Sequence, residues 1–309
     1  METGHVLATP DGHNIHLRIW HPDGEVAGVI QLLHGLGEHV ARYERFAVAA
    51  NARGFVVCAH DHRGHGGHDG DAGYFADKDG WNLVVDDVHV AHEHIREQFP
   101  KPPIVLLGHS MGSYVAQSFA MQYGAKLSAL LLSGSMWPQR TKLLPAMLIA
   151  RFESLRLGKL GRSALLNKLG FGDFNRRFEP ARTEMDWLSR DEREVDLYID
   201  DTLCGGPYTC GLWVDVLGAL FELGSDHALN RIPADLPILI SGGSDDPVGG
   251  EDSMTRLTMH YAQTGHQRLT MKLYPEGRHE MLNETNRDEV TSDWLDWIAA
   301  RCRSSRSSS

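Results

Sequence analysis

Apolar positions along the chain follow two different rhythms. "NIHLRIW" (14–20) alternates apolar and polar side chains, the pattern of a strand with one face on a core and the other in water. A second group is continuously apolar and rich in branched residues: "GVIQLLH" (28–34), "FVVCAH" (55–60), "PIVLLG" (103–108), "LSALLLS" (127–133) and "LPILISG" (236–242). Parallel strands covered on both faces read this way, because neither face meets water. "RLTMKLY" (268–274) predicts a last strand. Between these runs, helical patterns occupy 43–54, 81–99, 110–124, 251–265 and 287–301, and Gly54, Gly124 and Gly265 stand where helix C-caps belong. Strands alternating with helices predict a mostly parallel sheet with helices on both faces.

The alternation stops between about 136 and 224. "LLPAMLIARFESLRLG" and its neighbours look helical, and no strand is evident before "LPILISG". This stretch is expected to be a helical cap inserted into the sheet domain. The predicted division is a core at 1–135, a cap at 136–224, the rest of the core at 225–301 and a disordered tail at 302–309.

Composition narrows the function classes. The formal net charge of −11 excludes a nucleic-acid partner, since phosphate binding needs a basic face. No run reaches the roughly 18 uncharged apolar residues of a membrane span. "METGHVLATPDG" lacks the basic start and apolar stretch of a signal peptide, so a cytoplasmic, reducing setting is expected. Four scattered cysteines do not suggest a disulfide framework. Cys58 reads as a core residue; Cys204 and Cys210 flank "GGPYT" and are the one pair worth considering as a bridge.

The chemistry gathers around "IVLLGHSMGSYVAQSFA" (104–120). Ser110 sits in a G-x-S-x-G pattern, after an apolar run and before a helix, the strand–turn–helix setting of a nucleophile. The competing reading is a helix N-cap serine. A strained turn needs very small neighbours two residues either side, and Gly108 and Gly112 provide them. A serine nucleophile needs a base, and the base an orienting acid. Downstream, "SGGSDDPVGG" places Asp245 and Asp246 after a strand, and "GRHEMLNE" places His279 after another. The order Ser, acid, His is that of sheet hydrolases, with each group at a strand's C-terminal end. An oxyanion hole is expected from the backbone N–H groups of Met111 and of Leu36, in the loop His34-Gly35-Leu36-Gly37.

Together, HGLGEH (34–39), Arg42-Tyr43, DHRGHG (61–66), GHSMGS (108–113), SGGSDDPV (241–248) and GRHEMLNE (277–284) resemble the monoacylglycerol lipase and lysophospholipase branch of the α/β-hydrolase superfamily. The resemblance spans about 30–135 and 235–300 and does not cover the cap. After DHRGHG the sequence departs from the family, reading "GHDGDAG". The resemblance implies an eight-stranded, mostly parallel sheet, no metal or organic cofactor, and ester hydrolysis through an acyl-enzyme. It implies Ser110 as nucleophile, His279 as general base and acid, and Asp246, before Pro247-Val248, as the orienting acid. Monoacylglycerol-like or lysophospholipid-like acyl esters are the implied substrates. An aminopeptidase or amidase, and a non-catalytic ligand-binding member of the fold, are the alternatives. A dehalogenase or epoxide hydrolase would need an acidic residue where Ser110 stands.

Other features read as structural. His60, His62, His65 and His68 match no usual metal-ligand spacing, and the family resemblance implies that most of them form a buried turn with Asp61 and Arg63. His89, His92 and His94, with Asp86, Asp87 and Glu93, are expected on the solvated side of a helix. Glu38 and Arg42 are expected to tie the oxyanion loop to its surroundings. "LLPAMLIARF" is expected to pack on the core or to line an acyl site, with lipid-surface contact as the lesser expectation.

Overall fold

The computed structural model describes residues 1–67, 70–206 and 208–306. Among them, eight strands form one sheet: β1 (Glu2–Ala8), β2 (Asn14–Trp20), β3 (Gly28–Leu33), β4 (Phe55–His60), β5 (Ile104–His109), β6 (Ala129–Ser133), β7 (Ile238–Gly243) and β8 (Leu269–Tyr274). Their order is β1-β2-β4-β3-β5-β6-β7-β8. β1 and β2 are antiparallel to each other, β2 is antiparallel to β4, and every later pairing is parallel. All residues of β3 to β7 are buried, as continuous apolar runs require. β1 was not predicted: this edge strand is half-exposed throughout, with no apolar face for the sequence to announce.

The helices are α1 (Glu44–Ala52), α2 (Gly80–Gln98), α3 (Met111–Tyr123), α4 (Arg140–Leu157), α5 (Ala164–Phe171), α6 (Glu192–Asp200), α7 (Cys210–Leu223), α8 (Asp226–Leu229), α9 (Glu251–Gln263) and α10 (Arg287–Arg306). Four of these, α4 to α7, fall within the stretch where the alternation stops, between β6 and β7. Two core layers flank the sheet. One joins β-sheet residues such as Leu106 and Leu132 to α2, α3 and α7. The other joins Leu107 and Leu131 to α1 and α10 through Phe46, Trp294 and Ile298. Alternate residues of one strand thus supply opposite layers.

Three expectations need correction. The tail was expected from 302, but α10 continues through Arg306, because Cys302 is buried against the sheet-side layer; residues 307–309 lie outside the described residues, as does His68. On α2, His92 and Asp87 are not solvated: both are 1% exposed. His92 Nδ1 meets the Gln31 amide oxygen at 2.8 Å, and Asp87 takes two hydrogen bonds from Arg63. Finally, Gly54 and Gly265 close their helices in the left-handed region, but Gly124 has an ordinary helical φ of −57°. It is small for another reason, since a Cβ there would come within 2.5 Å of Pro233. The four cysteines are free, so Cys204 and Cys210 are not bridged. No helix among the described residues is long and apolar enough to cross a membrane.

Candidate active site

The turn from β5 into α3 does not fit the N-cap reading of Ser110. Its backbone has φ 50° and ψ −120°, and its side chain makes no capping hydrogen bond to α3. A non-glycine residue at positive φ is strained, and such strain gathers at functional sites. The turn is pinned from both sides: Ser110 N–H donates to the Ser133 carbonyl at 2.9 Å, and Ser113 N–H to the Ser110 carbonyl at 2.9 Å. Neighbouring backbone explains the flanking glycines. A Cβ at Gly108 would lie 2.3 Å from the Gly112 carbonyl oxygen, and one at Gly112 2.3 Å from that of Leu33. The turn closes only with both side chains absent.

The loop after β3 lies against this turn. An ideal Cβ on Gly35 would be 3.2 Å from Ser110 Cβ, so the loop backbone borders the serine directly. Gly37 is held at φ 74°, and its carbonyl accepts from Tyr198 Oη at 3.0 Å and from Gly205 N–H at 2.8 Å. Glu38 Oε1 accepts from Gly35 N–H at 2.6 Å and Tyr43 Oη at 2.8 Å. His34 is fully buried; its Nδ1 donates to the Gly35 carbonyl at 2.7 Å and its Nε2 accepts from His62 N–H at 2.9 Å. Burial holds its pKa below the ordinary value, and the two bonds fix a neutral tautomer. Leu36 and Met111 both border the cavity beside Ser110. Neither N–H donates to a protein acceptor among the described residues.

Asp246 and His279 meet although 33 residues apart. His279 Nδ1 lies 2.9 and 3.0 Å from the two Asp246 carboxylate oxygens, and both side chains are almost fully buried. Burial works against both charges. The pairing, with Val248 and Gly249 N–H donation to Asp246, overcomes it: the aspartate pKa is lowered and the histidine pKa raised. Asp245, the alternative, instead accepts from Arg177 at 2.7 Å. His109 lies 4.8 Å from His279 between ring centres. Burial and the neighbouring His279 charge push its pKa down to about 4, so no second cation forms there.

Several contributors were not legible in the sequence. His279 N–H donates to the Trp187 carbonyl at 3.3 Å, and the Trp187 ring lies 5.0 Å from the His279 ring. Arg42 makes two 2.6 Å bonds to Glu280 and one of 2.9 Å to Glu38. One guanidinium thus joins the loop of Leu36 to that of His279, a stronger link than the sequence expectation for Glu38 and Arg42. Arg42 and Glu280 lie 238 residues apart, so no local signal marked that half of the link.

Ser110 and His279 open onto a cavity of about 610 Å³, within the usual range for small-molecule sites. Its walls are mainly apolar and come largely from the segment between β6 and β7, including Leu143, Phe171, Trp213 and Leu217.

Residues 24–286 match the family model described as serine aminopeptidase, S33. The chain is 28% identical over 301 residues to the monoacylglycerol lipase of Mycolicibacterium smegmatis, covering 96% of each chain. It is 29% identical to the monoglyceride lipase of Mus musculus, covering 96% of this chain and 90% of that one. The crystal structure of a highly thermostable carboxyl esterase from Bacillus coagulans, in complex with glycerol, superimposes with a TM-score of 0.89 at 29% identity, covering 97% of this chain and 99% of that one. The strained serine turn, the buried His–Asp pair and a match across most of the chain agree, and the protein belongs to the serine aminopeptidase S33 family, as a monoglyceride-lipase-like α/β-hydrolase.

Proposed function

We propose that Ser110 attacks the carbonyl carbon of a small acyl ester of the monoacylglycerol or lysophospholipid type. The protein is a carboxylic ester hydrolase, and its relatives' names point to the glycerol ester class. The observation that carries the reading is one apolar cavity bordered by both the strained serine and the Asp246-paired histidine. With Nδ1 donating to Asp246, His279 keeps the Nε2 lone pair to accept the Ser110 proton. The ester carbonyl becomes a tetrahedral oxyanion held by the N–H groups of Leu36 and Met111. His279 then returns the proton to the leaving alcohol, giving the acyl-enzyme. Water, activated by the same imidazole, releases the acid. Asp246 stabilises the imidazolium without taking its proton. No step calls on a metal or organic cofactor.

In this reading residues 136–224 serve as a cap over the core halves 1–135 and 225–301, and line the acyl site. The exposed apolar side of α4, including Leu148 and Phe152, makes transient contact with lipid surfaces. A cytoplasmic location fits four unbridged thiols.

The family's description makes an aminopeptidase the second reading. An aminopeptidase needs a carboxylate to meet the substrate ammonium, and the cavity wall offers Glu38 and Glu280. Both are already bound by Arg42, which disfavours that role. The test compares p-nitrophenyl acyl esters with aminoacyl p-nitroanilides. Ester cleavage is expected to dominate and to vanish in Ser110→Ala, along with fluorophosphonate labelling. Preferential anilide cleavage, or a Ser110→Ala enzyme that still turns over ester, sinks the proposal.

A further inference from the structure

Beside the cavity lies a group of ligand-type side chains with no part in the chemistry above. His39 and Asp201 are 162 positions apart, yet His39 Nε2 meets Asp201 Oδ2 at 2.8 Å. Cys204 completes the group, one ligand atom from each residue lying within 4.8 Å of the others. Among the described residues, no other three His, Cys, Asp or Glu side chains gather in this way.

The backbone prepares two of the three. Asp201-Thr202-Leu203-Cys204 forms a tight turn in which Cys204 N–H donates to the Asp201 carbonyl at 3.0 Å. Leu203 N–H donates to Asp201 Oδ1 at 2.9 Å, which fixes that carboxylate and leaves Oδ2 for a second partner. Side chains three apart on a turn have the spacing that C-x-x-C segments give structural zinc sites. The next residue, Gly205, donates to Gly37, which anchors the turn against the loop carrying His39.

We propose that His39 Nε2, an Asp201 carboxylate oxygen and Cys204 Sγ bind a zinc ion, with water in the fourth tetrahedral position. Nitrogen, oxygen and thiolate sulfur are all zinc donors, and one carboxylate plus one thiolate cancels the charge of the ion. Arg42 is close by, but Glu38 and Glu280 already neutralise it. Donors about 2.0–2.3 Å from one ion stand roughly 3.5 Å apart, so a pair at the 4.8 Å limit would contract by about 1.3 Å. Asp201, about one-third exposed, gives the ion a route from solvent. Binding releases the Cys204 thiol proton to solvent and moves the His39 proton from Nε2 to Nδ1, with no change of oxidation state. Zinc here would tie the turn that runs into Gly205 and Gly206, on the cavity wall, to the loop bearing Leu36.

The test is a binding measurement and does not depend on turnover. Full-length protein stripped with chelator is titrated with Co²⁺ and then with Zn²⁺. One equivalent of Co²⁺ is expected to give a thiolate-to-cobalt charge-transfer band and tetrahedral visible bands, which Zn²⁺ abolishes stoichiometrically. Cys204→Ser is expected to lose the charge-transfer band, and His39→Gln and Asp201→Asn to bind zinc at least tenfold more weakly. Circular dichroism melting without metal verifies that each variant is folded. Absence of the thiolate band in the wild type, its persistence in Cys204→Ser, or wild-type affinity in folded Asp201→Asn overturns the proposal.

Discussion

The sheet and helix α4, in the segment between β6 and β7, use apolar side chains in opposite ways. Strands β3 to β7 are buried throughout, and their alternate residues feed two covered layers. Helix α4 has 18 residues but buries only Ala150 and Glu153, leaving Leu144, Leu148, Phe152 and Leu155 exposed. Of its remaining apolar residues, Leu143 and Ala146 border the cavity. Contiguous apolar surface left in water is the kind that marks contact sites, whereas buried apolar surface contributes to stability. The proposed chemistry sits at the seam: the scaffold supplies the serine turn and the His–Asp pair, and the segment supplies most of the cavity walls.

The largest expected effect falls on the scaffold side of the seam. Asp246→Asn should lower turnover by about 10⁴-fold, since an amide neither holds the imidazole in the required tautomer nor stabilises its cation. Steady-state kinetics on a p-nitrophenyl ester checks this; a loss below tenfold would place the orienting acid elsewhere. Next comes the link between loops. Arg42→Met leaves Glu38 and Glu280 buried without a counter-charge, a change that costs about 3–5 kcal/mol. Denaturant unfolding should show this loss together with reduced activity, because the loops of Leu36 and His279 lose their common tie.

A matched pair of substitutions sharpens the contrast. Leu131→Ala, in the buried middle of β6, should destabilise by about 2–5 kcal/mol. Leu148→Ser with Phe152→Ser on α4 should alter stability by no more than about 0.5 kcal/mol per site. The same double variant should lose severalfold activity on vesicle-borne long-chain esters and keep its rate on a soluble short-chain ester. Equal losses on both substrates would remove the surface role of α4.

The smallest effect is a displacement along the pH axis. In the proposed mechanism His279 must be neutral to accept a proton, and, against burial, the Asp246 carboxylate raises its pKa above the ordinary 6.5. Activity should therefore fall as pH drops through a value above 6.5, and Asp246→Asn should move the inflection of its residual activity downward. The sign for stability is opposite. A raised folded pKa contributes stability fully present below the unfolded value and lost as pH rises through the folded one. Rate–pH profiles of wild type and Asp246→Asn measure the activity arm, and melting temperatures of wild type and His279→Gln across the same range measure the stability arm.

Much of this was readable before any coordinates. Strands buried on both faces wrote themselves as branched apolar runs, so β4 was placed residue for residue and the other buried strands within one or two positions. That Ser110, Asp246 and His279 would each follow its own strand was legible from their order along the chain. Edge strand β1 was not, because it buries no continuous face, and the environment of His92 on α2 was misjudged. A polar residue reads as solvated unless its distant partner, here Gln31, is known.

The sequence by itself determined the periodicity, and with it the sheet, the flanking helices and the glycines that let the serine turn close. Those are local matters, set by side-chain volume and by apolar surface leaving water. Only the tertiary structure decided that Arg42 would bridge Glu38 to Glu280, that Trp187 would brace His279, and that His39 would meet Asp201 beside Cys204. Each of these joins residues distant in the chain, where geometry fixes the pairing and no spacing encodes it.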